Sequence, residues 1–184
     1  LRDRRESWNN KGPEEDGFPE MLELFSRVPL NLVLYEGQRI VPIPVDEEVT
    51  SLSAILLDET YYQVVAKRRD VVRDLSGVQP DVLILLKAKA WLDLSERKKQ
   101  GERVDSTDIK KHRNDVFRLA HILTVGESIS IPGSVLDDLH RFLESFPENS
   151  GAWPAIIASF SRSINPPMDA SELLDLFRRY FRRE

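Results

Sequence analysis

Pro80-Asp81-Val82-Leu83-Ile84-Leu85-Leu86-Lys87-Ala88-Lys89-Ala90-Trp91-Leu92 divides this chain in two. Proline is well placed in a first helical turn, and the carboxylate after it complements the positive end of a helix. Val82 to Leu86 is apolar on every side, which puts the start of that helix in a protein interior. The spacing predicts a helix over residues 81–100 with Gly101 as its stop. Asp105 or Ser106 then caps a second helix, running to about Leu123. Its stripe is Ile109, His112, Val116, Leu119, Ala120 and Leu123, a 3.6-residue period, and Gly126 closes it. Residues 134–146, 152–163 and 170–183 are three further helical candidates, punctuated by Pro147, Pro154 and Pro166-Pro167.

Before Pro80 the pattern is different. Residues 1–17 are polar, with Asn9-Asn10, Gly12-Pro13 and Gly17 as breakers, and read as a loop. Residues 18–28 alternate in the manner of a strand, which Pro29 ends. Residues 31–35 and 40–45 are short extended pieces, and Pro42 and Pro44 push the second to an edge. Residues 52–57 form an apolar run compatible with a strand or a buried helix. Asp58 caps a helix to about Arg69 with Tyr62, Val65 and Ala66 on one side, and residues 71–78 form a last strand broken at Ser76-Gly77. A β-rich first part and an all-helical second part make an α+β fold: a small mixed sheet in residues 1–79, then a helical domain in residues 80–184.

Composition excludes several classes. The 184 residues are 41% hydrophobic and 31% charged, enough apolar material for a real core. There is no cysteine, which removes disulfides, thiolate metal sites and cysteine nucleophiles, and fits a reducing, cytoplasmic setting. Twenty-six basic against 31 acidic residues leave a net charge of −5, so the chain is not coated for nucleic acid, although a local basic patch is allowed. That charge also argues against a DNA-reading helix–turn–helix protein. The longest apolar run is far too short to span a bilayer, so no membrane partner is expected.

Three places can carry chemistry. Glu23 is a carboxylate among Met21, Leu22, Leu24 and Phe25. It either points to water from the wet face of a sheet or serves a cleft as a metal ligand or general base. Lys87 sits at the edge of the buried helix start, where it either snorkels to solvent or meets a phosphate; Lys89 lies about 200° away around the helix. The stretch from Arg97 to Arg113 also holds Lys98, Lys99, Arg103, Lys110 and Lys111, interrupted by Glu102, Asp105 and Asp108. It is either a solvated surface with pairs such as Lys111 with Asp115, or a landing site for a triphosphate or RNA backbone. His112 reads as a packed, hydrogen-bonded core histidine, and His121 and His140 lack metal spacing. The chain shows no zinc motif, glycine-rich phosphate loop or serine-nucleophile motif.

Three phrases carry a family resemblance. They are Phe18-Pro19-Glu20-Met21-Leu22-Glu23-Leu24-Phe25-Ser26-Arg27, then Ser51-Leu52-Ser53-Ala54-Ile55-Leu56-Leu57-Asp58 with Tyr61-Tyr62, and then residues 86–98 followed by Val104-Asp105-Ser106 and residues 108–119. Together they resemble the bacterial AbiEii/AbiGii toxin family of nucleotidyltransferase-like proteins, over roughly residues 18–123. The resemblance implies a nucleotidyltransferase-like domain followed by a helical C-terminal domain. It implies transfer of NMP from an NTP to an acceptor hydroxyl on RNA, protein or a small molecule, with Mg²⁺ as cofactor, by the toxin half of a toxin–antitoxin pair. It places Glu23 as the third, metal-binding carboxylate, Lys87 and Lys111 on the triphosphate, and Asp115 as the residue that completes the catalytic site. The glycine-serine turn and Asp-x-Asp strand of the family are missing, since neither Asp3 and Glu6 nor Glu14-Glu15-Asp16 fits them. The first strands and the remaining metal ligands are therefore expected upstream of Leu1. The alternative is a catalytically inactive remnant that binds a nucleotide or a partner protein, such as a cognate antitoxin.

Overall fold

The computed structural model describes residues 24–27, 40–43, 52–72 and 75–184. The chain divides into two compact units, residues 1–56 and 57–184. In the first, β1 (Leu24–Arg27), β2 (Ile40–Ile43) and β3 (Leu52–Leu57, which runs one residue past the division) form a sheet of order β1-β3-β2. The apolar run 52–57 is thus a strand. β2 pairs antiparallel with it, Pro42 opposite Ser53, and lies at the sheet edge, where a missing N–H is tolerated.

The second unit begins with Asp58, whose carboxylate accepts the Tyr61 N–H at 3.0 Å and starts α1 (Glu59–Lys67). α1 buries Tyr61, Val64 and Val65 and leaves Ala66 exposed. The predicted face was turned by about one residue, because the wider stripe runs through Tyr61. The single broken strand expected over residues 71–78 is instead an antiparallel pair, β4 (Arg69–Val72) and β5 (Leu75–Val78), with Gly77 inside β5 opposite Asp70.

α2 (Pro80–Lys99) and α3 (Ser106–Ala120) form a helical hairpin. Gly101, at φ +86°, takes the left-handed turn after α2. Asp105 caps α3 by accepting the Thr107 N–H at 2.8 Å. α3 ends three residues before its predicted limit, in turns that lead to Gly126 at φ +93°.

α4 (Gly133–Glu144), α5 (Trp153–Ala158) and α6 (Ala170–Tyr180) complete the helices. A reciprocal capping box between Asp169 and Glu172 starts α6. The second half of the chain is not all-helical. β6 (Ile129–Ile131) pairs in parallel with β7 (Phe181–Arg183), residues expected to extend the last helix. Three-residue strands are too short to register as a period in the sequence, and Phe181 turns extended because that buries its ring beside Ile129.

Phe117, fully buried, is the hub of the core. Its ring meets Phe142, Phe146, Trp153 and Phe177 at centroid distances of 4.8–6.0 Å, so α3 is fixed by aromatic contacts to α4, the segment after it, α5 and α6. Trp91 continues the cluster from α2, edge-on to Phe142 at 5.3 Å. Among the described residues no helix is long and apolar enough to cross a membrane.

Candidate functional site

The α2–α3 hairpin gathers three of the four residues singled out from the sequence. Lys87 lies half-buried on α2; Lys111, His112 and Asp115 lie on α3. Their common neighbour is the His112 imidazole. Burial, and next the Lys87 ammonium, push its pKa below the ordinary histidine value. Lys111 acts in the same direction, while Asp115 and Asp108 oppose it. Two cations and two carboxylates therefore act on one ring held toward its neutral form. The fourth residue, Glu23, lies outside the described residues.

Two local expectations change. His112 was expected to be a hydrogen-bonded core histidine, but its Nδ1 is buried without a partner. Asp115, buried on α3, does not pair with Lys111. It accepts a hydrogen bond from Arg118 Nη2 at 2.5 Å, one turn along the helix. His121 does have a structural role: its Nε2 accepts the Met168 N–H at 3.0 Å, leaving Nδ1 to donate to the Phe117 carbonyl at 3.0 Å. That arrangement fixes a neutral tautomer.

Two further polar clusters were not anticipated. Lys89, on the other side of α2 from Lys87, lies 3.3 Å from both Asp93 and Asp138, and Asp138 also accepts from the Tyr61 hydroxyl at 3.1 Å and from Arg141 at 3.0 Å. Asp81, only 2% exposed, accepts from Arg68 Nη2 at 2.5 Å, the Val82 N–H at 2.7 Å and the Tyr180 hydroxyl at 3.4 Å. The sequence signal for the second was a carboxylate directly before an apolar run. Helix-end electrostatics account for its position but not for its partners. Both clusters join distant elements and read as structural clamps.

The site suits anions. Lysines are point charges on flexible stems that reach phosphate readily, and the uncharged imidazole beside them can accept a hydrogen bond or a proton. It does not suit Mg²⁺, which needs several oxygen ligands in octahedral array. Among the described residues no group of three histidine or acidic side chains is placed to hold a metal ion, and the Asp115 carboxylate is engaged by Arg118.

Comparison with protein-family models, with curated proteins and with solved structures finds no match to this chain.

Proposed function

We propose that the α2–α3 cluster binds the triphosphate of a nucleoside triphosphate, as part of a nucleotidyltransferase-like protein that passes NMP to an acceptor hydroxyl. The observation that supports it is that Lys87, Lys111 and Asp115, from two helices and 29 positions of sequence, all lie close enough to His112 to act on its charge. Lys87 and Lys111 hold phosphate oxygens. His112, held toward its neutral form, can accept a hydrogen bond, or take up a proton and become a third positive charge beside the phosphate. Asp115, tied to Arg118, limits the local positive charge and orients the helix face. Glu23 is the acidic ligand on the strength of the family resemblance alone, and the toxin role, the RNA acceptor and the antitoxin partner rest on the same ground. No step is assigned to Mg²⁺, because the described residues make no site for it.

Calorimetric titration of the chain with ATP and GTP tests the reading. Lys87→Ala and Lys111→Ala should each weaken binding about fivefold or more, the loss of roughly 1 kcal/mol per charged contact. Wild-type protein that binds neither nucleotide, or variants that bind as well as wild type, would overturn it. A second reading, binding without transfer, is favoured by the engagement of Asp115 with Arg118. Labelled NTP, Mg²⁺ and cellular RNA separate the two: transfer lost in Glu23→Gln supports the enzyme, and nucleotide binding with no transfer supports the binding module.

A further inference from the structure

We propose that the turn end of the α2–α3 hairpin is a second, separate anion site, which takes the phosphodiester backbone of a single-stranded polynucleotide. A shallow groove of about 520 Å³ opens there, lined by Ser95, Lys98, Lys99, Ser106, Ile109 and Lys110. Three of its six lining residues are lysines, in a chain whose net charge is −5. All three are exposed, two from the last turn of α2 and one from α3.

Their charges are only lightly compensated. Lys98 donates to the Ser106 hydroxyl, a neutral partner that holds the ammonium over the groove. Lys99 has Glu96 at 3.9 Å, at the outer limit of an ion pair. No ion pair among the described residues includes Lys110, whereas the neighbouring Arg97 is taken up by Glu102 at 2.7 Å. Lys98 and Lys110 thus line the groove without an ion pair among the described residues, Lys99 has only a loose one, and Glu102 serves Arg97 beside it.

The shape favours an extended polyanion over a small ion. Ammonium groups spread along an open trough on two helices can meet successive phosphates, each contact releasing counterions. Ile109 and the lysine stems supply an apolar floor against which a base can lie, and Ser95 and Ser106 supply hydroxyls for sugar or phosphate oxygens. An acidic peptide would use the charge but not the floor. The groove shares no residue with the Lys87, Lys111 and Asp115 cluster, so this assignment does not depend on the triphosphate reading.

The test is fluorescence anisotropy of the full chain with labelled oligouridylate and oligothymidylate over a range of KCl concentrations. The paired variant Lys98→Gln with Lys110→Gln should weaken binding about tenfold at low salt and reduce the salt slope by about 1.4, two lost phosphate contacts on a single strand. Arg178→Gln with Arg179→Gln, an equal charge change on α6, should alter affinity less than about threefold if local contacts rather than net charge decide binding. Circular dichroism confirms that each variant is folded, and single Lys98→Gln and Lys110→Gln variants replace the pair if it is not. Preference for oligouridylate identifies RNA as the source of the backbone, and equal binding identifies any single strand. The proposal is overturned if wild type binds neither oligomer, if the α6 variant loses as much as the groove variant, or if polyglutamate competes as well as polyuridylate.

Discussion

The Arg118 guanidinium holds the Asp115 carboxylate at 2.5 Å across one turn of α3, with the acid buried and the base half in solvent. Arg118 reaches back over the Asp115 carboxylate, which lies beside a packed interface. Arg118→Ala leaves that carboxylate without its main partner. Water can reach only part of it, so the expected loss is about 1 kcal/mol, the upper end for a pair with one exposed member. Urea unfolding reads this directly, and an unchanged midpoint would show that the pair contributes nothing. The same variant exposes the Lys87–Lys111 cluster to an uncompensated negative charge, so ATP affinity should fall with stability.

Tyr61 ties α1 to α4 through its hydroxyl on Asp138, 3.1 Å away. Tyr61→Phe removes the donor and leaves a carboxylate still served by Lys89 and Arg141, so it should cost about 1 kcal/mol. Burial first, and Asp138 second, push the Tyr61 pKa far above the ordinary tyrosine value. The folded phenol therefore stays protonated where the unfolded one ionises. The stability this provides is complete below about pH 10 and declines above it. Burial and Asp81 also raise the Tyr180 pKa, so ultraviolet difference titration should show more than one late-ionising tyrosine, and the loss of one of them in Tyr61→Phe identifies Tyr61.

Much of this was legible in residues with strong local signals. Pro80, Gly101 and Asp105 bound α2 and α3 because proline, a positive-φ glycine and a capping carboxylate act within one turn. Helical spacing also brought Lys111 and Asp115 to one face of α3. What escaped depends on partners far along the chain. Phe181 is extended because β6 waits some fifty residues earlier, and Asp81 is stabilised by Arg68 and Tyr180 from other elements. Phe117, the centre of the core, fell outside the predicted stripe, since a helix clasped by α2, α4, α5 and α6 buries more than one face.

Phe117→Ala tests that centre. The ring is fully buried and in contact with four other aromatic rings, so its removal should cost about 3–5 kcal/mol, a large share of a domain's stability. Phe117→Leu, which refills much of the space, should cost less than half as much. Thermal unfolding that ranks the two equally would mean the hub is not where the packing energy lies.

His112 supplies the sharpest test of the α2–α3 site. Its ring is held below the ordinary histidine pKa by burial first and by Lys87 second, with Lys111 in the same sense and Asp115 and Asp108 against. The folded state therefore binds its proton less readily than the unfolded chain, whose value is about 6.5. Between the lowered folded value and about 6.5 the unfolded state holds more protons, so stability rises with pH across that window and levels off above it. Below the folded value the penalty is present in full. Wild type should be less stable at pH 5.5 than at pH 7.5, and His112→Gln should flatten that difference while leaving the acid unfolding of the carboxylates in place. Lys87→Gln should flatten it in part, by removing the second cause while burial remains. A bound triphosphate beside the ring reverses the sign, since its negative charge favours the imidazolium. ATP should then raise the His112 pKa measured from its imidazole proton resonances, and a resonance that does not move on adding ATP would separate His112 from the nucleotide.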